Sequence, residues 1–240
     1  MRLSALLLAC VVLTVSAPAA DVPTDYSTPQ NLNDVINRYQ RAQVDQQEAL
    51  RETQMVEDIE ASLPKLEKQS KVKVLHLISK LGINTFQMIG NFFGDKTVFR
   101  EVIARYLETE AKGRENGSLA ISPANYKFKI NAIVTENSHT TYIFDVTPKR
   151  KDYGLFKGQV WLDGGTAMPL KEVGQLVKSP SMWLKSVKFE RDYEIHDGIA
   201  VPTHLESRAE VHLFGTAKLT ATFSNLQRQD DADAAVSEDR

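Results

Sequence analysis

Histidine is the side chain in this sequence with the most obvious capacity for metal chemistry, and two histidines share one strand face. His204 and His212 alternate onto the same side of a predicted strand. Eight residues of strand at about 3.3 Å each separate them by about 26 Å, so the two rings cannot share an ion. We therefore expect both histidines to face solvent, and we predict no metal site.

Carboxylates are the second group that chemistry could use. Asp192 and Glu194 lie on one face of a predicted strand, and Asp197 follows shortly after. Asp197 precedes a glycine, a pair typical of a tight turn. Asp192 and Glu194 fit the outer face of a sheet, opposite the inner residues Arg191, Tyr193 and Ile195. We predict no catalytic residue among them.

The sequence carries none of the short motifs that bind nucleotides or metals or activate a serine. G-x-G-x-x-G, the P-loop, H-E-x-x-H and G-x-S-x-G are all missing. The net charge of −2 gives no sign of a nucleic-acid partner. We expect a protein that is not an enzyme and takes no cofactor. An unrecognised hydrolase is the least favoured of the three functions considered.

Residues 1–19 have the order of a secretory signal peptide. A basic start precedes the apolar run Leu3–Val15, and Ala17 and Ala19 supply the small residues of a cleavage site. The run is shorter than the roughly 20 residues that cross a bilayer. We predict cleavage after Ala19 and a periplasmic protein.

Cys10 is the only cysteine, and it lies inside this signal. The mature chain can form no disulfide, so its stability outside the cytoplasm must come from an apolar core. A less favoured alternative makes Cys10 the lipidated residue of a lipobox, which would attach the protein to the outer membrane.

Periodicity divides the rest of the first half into helices and strands. Residues 20–30 are polar and rich in proline, which is typical of a flexible lead-in. Apolar residues recur at helical spacing over 31–47 and again over 96–111, where Gly113 ends the pattern. Between these helices, alternation predicts strands at Met55–Ala61, Lys71–Ile78 and Ile83–Phe93.

The second half predicts a meander of antiparallel strands. Turn residues such as Asn137-Ser138, Asp152-Tyr153-Gly154, Asp163-Gly164-Gly165, Asp197-Gly198 and Gly215 separate the runs by connections too short for parallel pairing. The predicted strands are Tyr126–Val134, Thr140–Thr147, Leu155–Asp163, Met168–Val177, Trp183–Ile195, Val201–Phe214 and Thr216–Leu226.

One face of these strands is apolar or small, so the fold class is mainly β, with a single curved sheet covered on one side by the two helices. Leu205, Ser207, Ala209, Val211 and Leu213 share that face, as do Ala217, Leu219, Ala221 and Phe223. We predict one domain over 31–227. The acidic residues 228–240 are expected to form a disordered tail.

Aromatic and methionine side chains recur in nearly every element on the predicted inner side. Each could simply pack in a core, but together they could also line an apolar cavity between sheet and helices. They are Phe86, Met88, Phe92, Phe99, Tyr106, Phe128, Tyr142, Phe144, Trp161, Trp183 and Phe189.

Four segments resemble the periplasmic lipoprotein carriers and their outer-membrane receptors, the LolA/LolB-like family. The segments are Tyr142–Lys149, Gly158–Asp163, Met168–Lys171 and Ala221–Leu226. The resemblance implies an unclosed antiparallel β-barrel, lidded by helices, whose interior holds acyl chains. Residues 63–116 do not follow the family pattern, so the resemblance assigns no lid residues.

The first functional hypothesis is a periplasmic carrier or binding protein for acyl chains of lipoproteins or other lipids. It would exchange cargo with an inner-membrane donor and an outer-membrane acceptor, and it would be monomeric. The alternative is an envelope sensor or structural protein-interaction module with a filled core. The predicted cavity residues are Phe92, Phe99, Tyr142, Phe144, Val160 and Phe189.

Overall fold

A computed structural model describes residues 32–113, 119–179, 184–212 and 215–230, which include eleven strands, two helices and the short 3₁₀ helix Pro64–Leu66. The predicted signal peptide, most of the acidic tail and Trp183 lie outside the described residues. Helix α1 is Leu32–Ala49, and α2 consists of the consecutive segments Lys96–Val98, Phe99–Ala104 and Arg105–Gly113. The strands are β1 Thr53–Leu63, β2 Lys68–Ile78, β3 Asn84–Met88, β4 Phe93–Gly94, β5 Tyr126–Glu136, β6 His139–Pro148, β7 Phe156–Asp163, β8 Pro169–Leu176, β9 Leu184–His196, β10 Ile199–Val211 and β11 Gly215–Arg228.

All strands belong to one antiparallel sheet that does not close. The strand order is β3-β2-β1-β11-β10-β9-β8-β7-β6-β5, and β4 pairs with β2. The chain winds from β5 to β11 as a meander, and β11 then pairs with β1. The predicted fold class, an unclosed barrel lidded by helices, is confirmed.

Turn chemistry sets the hairpins of this meander. Asn137 and Ser138 have φ values of 48° and 67°, and Asp197 and Gly198 have 51° and 77°. Two consecutive positive φ values make the tight turn whose twist matches that of the flanking strands. These turns lie where the sequence predicted them.

Each helix covers a separate apolar cluster on the inner face of the sheet, which is the face that packs against the helices. In the α1 cluster, Val35, Ile36 and Tyr39 of the helix pack on Tyr126, Tyr142, Phe144, Val146, Leu155, Phe156, Val160 and Leu162. In the α2 cluster, Val98 and Ile103 pack on Ile59, Ala61, Leu63, Val72, Val74, Leu205, Ala217, Leu219 and Ala221. Phe189 packs against both clusters.

The third predicted strand, Ile83–Phe93, is interrupted. It ends at Met88, turns at Gly90, where φ is 76°, and resumes as the two-residue β4. Alternation alone does not reveal this break, because the apolar residues continue through it.

Two of the aromatic and methionine residues predicted for the inner side of the sheet do not lie there. Met88 is 53% exposed at the sheet edge. Trp161 pairs with Lys171 on the outer face, and the lysine ammonium lies 5.8 Å from the Trp161 ring centroid. Strand β11 also continues to Arg228, inside the segment predicted as a tail, and the Gln229 side chain donates to two backbone carbonyls, those of Thr53 and Ile78.

Candidate functional site

A polar pair interrupts the apolar inner face at its centre. One row of directly paired residues crosses eight strands, and its two charged members are adjacent on β8 and β9. In strand order from β6 to β2, the row is Phe144, Val160, Glu172, Arg191, Leu205, Ala221, Ile59 and Val72. Charged groups are costly at such positions unless they are paired.

Helix α2 supplies a partner for this pair. Arg191 Nη2 donates to Glu110 Oε1 at 2.9 Å, and the Arg191 side chain is only 17% exposed. Burial opposes the charge of Arg191, but the surrounding groups, Glu110 foremost, raise its pKa well above the usual value. The guanidinium therefore stays charged, and the contact links the last part of α2 to β9.

A second polar network also joins α2 to the sheet. Glu57 is 1% exposed, and its Oε1 lies 2.8 Å from His76 Nδ1. His76 Nε2 lies 2.9 Å from Asn84 Oδ1, so both ring nitrogens face oxygen atoms. The Tyr106 hydroxyl of α2 donates to Glu57 Oε2 at 3.4 Å. The helix is thus attached by polar contacts to β1 as well as to β9.

The two networks were missed by the sequence-based site prediction, although a signal was present. Glu57 alternates in phase with Met55, Ile59 and Ala61, so strand alternation places its carboxylate on the apolar face. Arg191 was placed on the inner side but was assigned no role. The α2 partners of these two residues are Glu110 for Arg191 and Tyr106 for Glu57. Strand periodicity does not show which helix residue meets a given strand residue.

The structure divides the six predicted cavity residues into groups. Tyr142, Phe144 and Val160 are buried in the α1 cluster, at 8%, 1% and 0% exposure. Phe92 and Phe99 stack on each other beside the α2 cluster, with ring centroids 4.3 Å apart and planes inclined by 12°. Both of these rings are half-buried.

Phe189 lies between these groups. Its ring meets Phe156 edge-on at 5.0 Å, which connects the two clusters. That any of the six residues contacts a ligand stays a prediction.

The residues considered for chemistry face outward. His204 is 40% exposed in its side chain, and His212 is exposed. Lys171 contacts both Glu190 and Asp192 on the outer face, and Glu194 contacts His196. Within the described residues, no group of three or more possible metal-ligating side chains lies together.

Two grooves are present among the described residues. One of about 910 Å³ runs along β5 to β8 and is lined by basic side chains around Asp145, namely Lys127, Lys129, Lys151 and Lys157. The other, of about 440 Å³, lies between β1, β10 and β11 and includes Met55, Pro202 and Phe223.

These features define a protein with an open antiparallel sheet whose inner face is covered by two helices. The fold is similar to a LolA superfamily protein of Nitrosomonas europaea, with 10% identity, a TM-score of 0.41, and 81% and 92% of the two chains covered. It is also similar to an outer membrane lipoprotein-sorting protein domain of Vibrio parahaemolyticus, with 14% identity, a TM-score of 0.41, and 83% and 94% covered.

A third similar structure is the MucA/MucB complex of Pseudomonas aeruginosa, with 11% identity, a TM-score of 0.28, and 79% and 93% covered. No protein-family model and no curated protein matches the chain. Two of these structures bear the family name that the predicted resemblance gave, and the likenesses concern the fold alone. None of the helices in the described residues is long and apolar enough to cross a membrane.

Proposed function

We propose that the chain is a non-enzymatic periplasmic protein that binds acyl chains of lipoproteins or other lipids beneath α2. A single observation carries the proposal: α2 covers a wall of small and aliphatic side chains on the inner face of the sheet. A chain of CH₂ groups gains about 0.8 kcal/mol for each one buried, so such a wall needs no specific polar chemistry to bind lipid.

The composition of the wall supports this proposal. Ala61, Ala217 and Ala221 have short side chains, and each is buried by α2. If α2 moved away, the wall would offer a wide apolar surface with shallow relief, as an acyl chain requires.

The winding of α2 supports a movable cover. Its middle part, Phe99–Ala104, is π-helical, a rare winding that often occurs at functional places in helices. Tyr106 and Glu110 follow this part and make hydrogen bonds to β1 and β9. Displacement of α2 needs only local opening, which costs less free energy than unfolding of the whole sheet.

We assign the ligand contacts to Phe92, Phe99 and Phe189. The protein would work as a monomer that carries lipid from an inner-membrane donor to an outer-membrane acceptor. Tyr142, Phe144 and Val160 belong to the α1 cluster and not to the wall that α2 covers.

Phe99→Lys tests the proposal, with Phe93→Lys as its matched control. Phe93 belongs to the same aromatic segment but is 74% exposed. Mature protein from a bacterial periplasm is analysed by native mass spectrometry and lipid extraction, and then titrated with a neutral fluorescent apolar probe. We expect co-purified lipid, and probe binding about tenfold weaker in Phe99→Lys but unchanged in Phe93→Lys.

Melting curves confirm that both variants are folded. A wild-type protein that carries no lipid and takes up no probe contradicts the proposal.

An exposed apolar edge favours the second candidate function, a protein-interaction module. Leu81, Met88, Ile89 and Phe93 are between 45% and 79% exposed on or beside the edge strands β3 and β4. Edge strands with exposed apolar side chains are suited to pairing with another polypeptide. Under this alternative, Phe93→Lys weakens capture of a protein partner and Phe99→Lys does not.

A further inference from the structure

We infer that Arg191 is a binding site for the anionic head of a single-chain amphiphile, such as a fatty acid, and that this head replaces Glu110. The inference deepens the proposed function and rests on it, because the ligand reaches Arg191 when α2 moves away. Three features of the polar pair carry it: the unused hydrogen-bonding capacity of Arg191, the charge balance of its surroundings, and its position within the apolar row.

The guanidinium of Arg191 is only partly used in the closed structure. Nη2 donates to one oxygen of Glu110 at 2.9 Å. Nε is buried, and no group among the described residues accepts a hydrogen bond from it. Nε and Nη2 together form the side of the guanidinium that matches both oxygens of a carboxylate. A free carboxylate can satisfy both donors, whereas Glu110 satisfies one.

Charge balance makes the exchange selective. Two carboxylates, Glu110 and Glu172, contribute to the raised pKa of Arg191, so the closed site already contains its anions. Replacing Glu110 by the carboxylate of a ligand leaves this balance unchanged. An uncharged lipid that displaced α2 would leave Arg191 without its 2.9 Å partner in an apolar surrounding, which is costly.

The position of Arg191 within the row places the head group of a ligand next to an apolar surface for its acyl chain. Arg191 pairs directly with Leu205, and the row continues through Ala221 to Ile59, all in the α2 cluster. An amphiphile whose head lies at Arg191 therefore has an apolar surface beside it for its chain. The site accordingly fits one anionic group joined to one acyl chain.

The test compares two ligands that differ only in their head group. Dodecanoate and dodecanol are used to displace a neutral fluorescent apolar probe from the full mature protein at about pH 8, where the carboxylate is ionised. We expect dodecanoate to bind about tenfold more tightly than dodecanol, because a hydrogen-bonded charge pair is worth about that factor.

Glu110→Gln removes the internal competitor and is the decisive variant. We expect its affinity for dodecanoate to rise about threefold to tenfold, with dodecanol affected less, since the amide is a weaker partner for Arg191. Glu108→Gln is the matched control, because Glu108 is exposed on the same part of α2. It is expected to leave both affinities unchanged.

Arg191→Gln is expected to abolish the preference for the acid while dodecanol still binds. Arg191→Lys keeps the charge but loses the paired donors, so it is expected to retain only part of the preference. If Arg191→Gln does not fold, Glu110→Gln and Arg191→Lys together decide the question.

The outcomes separate this inference from the proposed function. Equal affinity for acid and alcohol in the wild type, unchanged in Glu110→Gln, overturns the anion site while lipid binding stands. Failure of the probe and of both ligands to bind overturns both.

Discussion

Burial sets the protonation of individual tyrosines in this protein. Tyr126 is 1% exposed, and its hydroxyl accepts a hydrogen bond from the Phe156 backbone N–H at 3.2 Å. Burial raises the pKa of Tyr126 from 10.0 to about 12, because the phenolate would lose its hydration. Burial, and then the charge of Glu172, also raises the pKa of Tyr39 well above its usual value. The fold therefore requires neutral phenols.

Stability is expected to fall in alkaline solution for this reason. Above pH 10 the unfolded chain releases its phenol protons, whereas folded Tyr126 holds its proton until about pH 12. The free energy of unfolding should be independent of these groups below pH 10. The free energy of unfolding should decrease between pH 10 and about pH 12, and Tyr126 should account for at most about 3 kcal/mol of the decrease. Chemical denaturation at a series of pH values measures the decrease.

Tyr126→Phe should reduce this alkaline decrease and cost about 1 kcal/mol at neutral pH, since the Phe156 N–H loses its acceptor. Tyr153→Phe, at a residue that is 54% exposed, is the control and should change neither quantity. The same pH profile in Tyr126→Phe and wild type would exclude Tyr126 as the cause.

At the scale of elements, α2 depends on a single residue for its start. Asp95 Oδ1 accepts hydrogen bonds from the backbone N–H groups of Thr97 at 2.8 Å and Val98 at 3.0 Å. These are groups that the beginning of a helix leaves without partners. Asp95 Oδ2 also lies 2.9 Å from Lys68 Nζ of β2. Both contacts lower the pKa of Asp95, that of Lys68 foremost.

Asp95→Ala should loosen α2 without unfolding the sheet. Loss of a capping side chain costs about 1 kcal/mol, so amide hydrogen exchange over 96–113 should accelerate about fivefold while that of β6 and β7 is unchanged. Mass spectrometry with peptide resolution measures both. Under the proposed function, lipid uptake should also become faster.

Lys68→Gln separates the cap from the ion pair. It removes the contact with Asp95 Oδ2 but leaves the backbone hydrogen bonds of Oδ1, and exposed pairs contribute little. Exchange in α2 should therefore stay near the wild-type rate. Equal acceleration in both variants would show that the cap is not what holds the first turn.

At the scale of the whole molecule, two paired glycines allow close packing near the place where the two clusters meet. Gly158 and Gly174 are directly paired on β7 and β8, and Gly174 pairs with Phe189 on β9. A Cβ at Gly158 would lie 1.9 Å from the Val173 carbonyl oxygen, and one at Gly174 would lie 2.3 Å from Phe156 Cδ2. The missing side chain of Gly174 therefore leaves room for the Phe156 ring, which meets Phe189, whereas the missing side chain of Gly158 lets the backbones of β7 and β8 approach.

Gly174→Ala should therefore disturb packing across the whole sheet. We expect the free energy of unfolding to decrease by about 1–3 kcal/mol, the usual cost of overpacking, because the Phe156 ring must move. Gly165→Ala is the matched control, since its Cβ would meet only Asp163 Oδ1, at 3.4 Å. Denaturant titration compares the two, and a loss equal to the control would contradict the role assigned to Gly174.

The sequence was sufficient for most of the local structure. Helix α1 and the strands from β5 to β11 were predicted within about three residues of their observed ends, because amphipathic periodicity and turn residues are local signals. The inward alternation of Leu205, Ala217 and Ala221 was also predicted correctly. The π-helical part of α2 was not, since winding depends on what the helix packs against.

Only part of the candidate site could be predicted from the sequence. Phe92 and Phe99 were chosen from the sequence and lie stacked beside the α2 cluster. Trp161 was placed on the wrong face, because Trp161 and Val160 are adjacent apolar residues and one of them must point outward. The buried Glu57 was visible as a charge in an apolar phase, but His76 and Tyr106 could not be assigned to it.

The sequence by itself determined the strand and helix segments, the hairpin turns and most of the inner face, because each depends on neighbours along the chain. Only the tertiary structure decided that β11 pairs with β1, that each helix covers its own cluster, and that Glu110 meets Arg191. These residues are far apart in the chain, and their contacts depend on how the whole sheet curves beneath the helices.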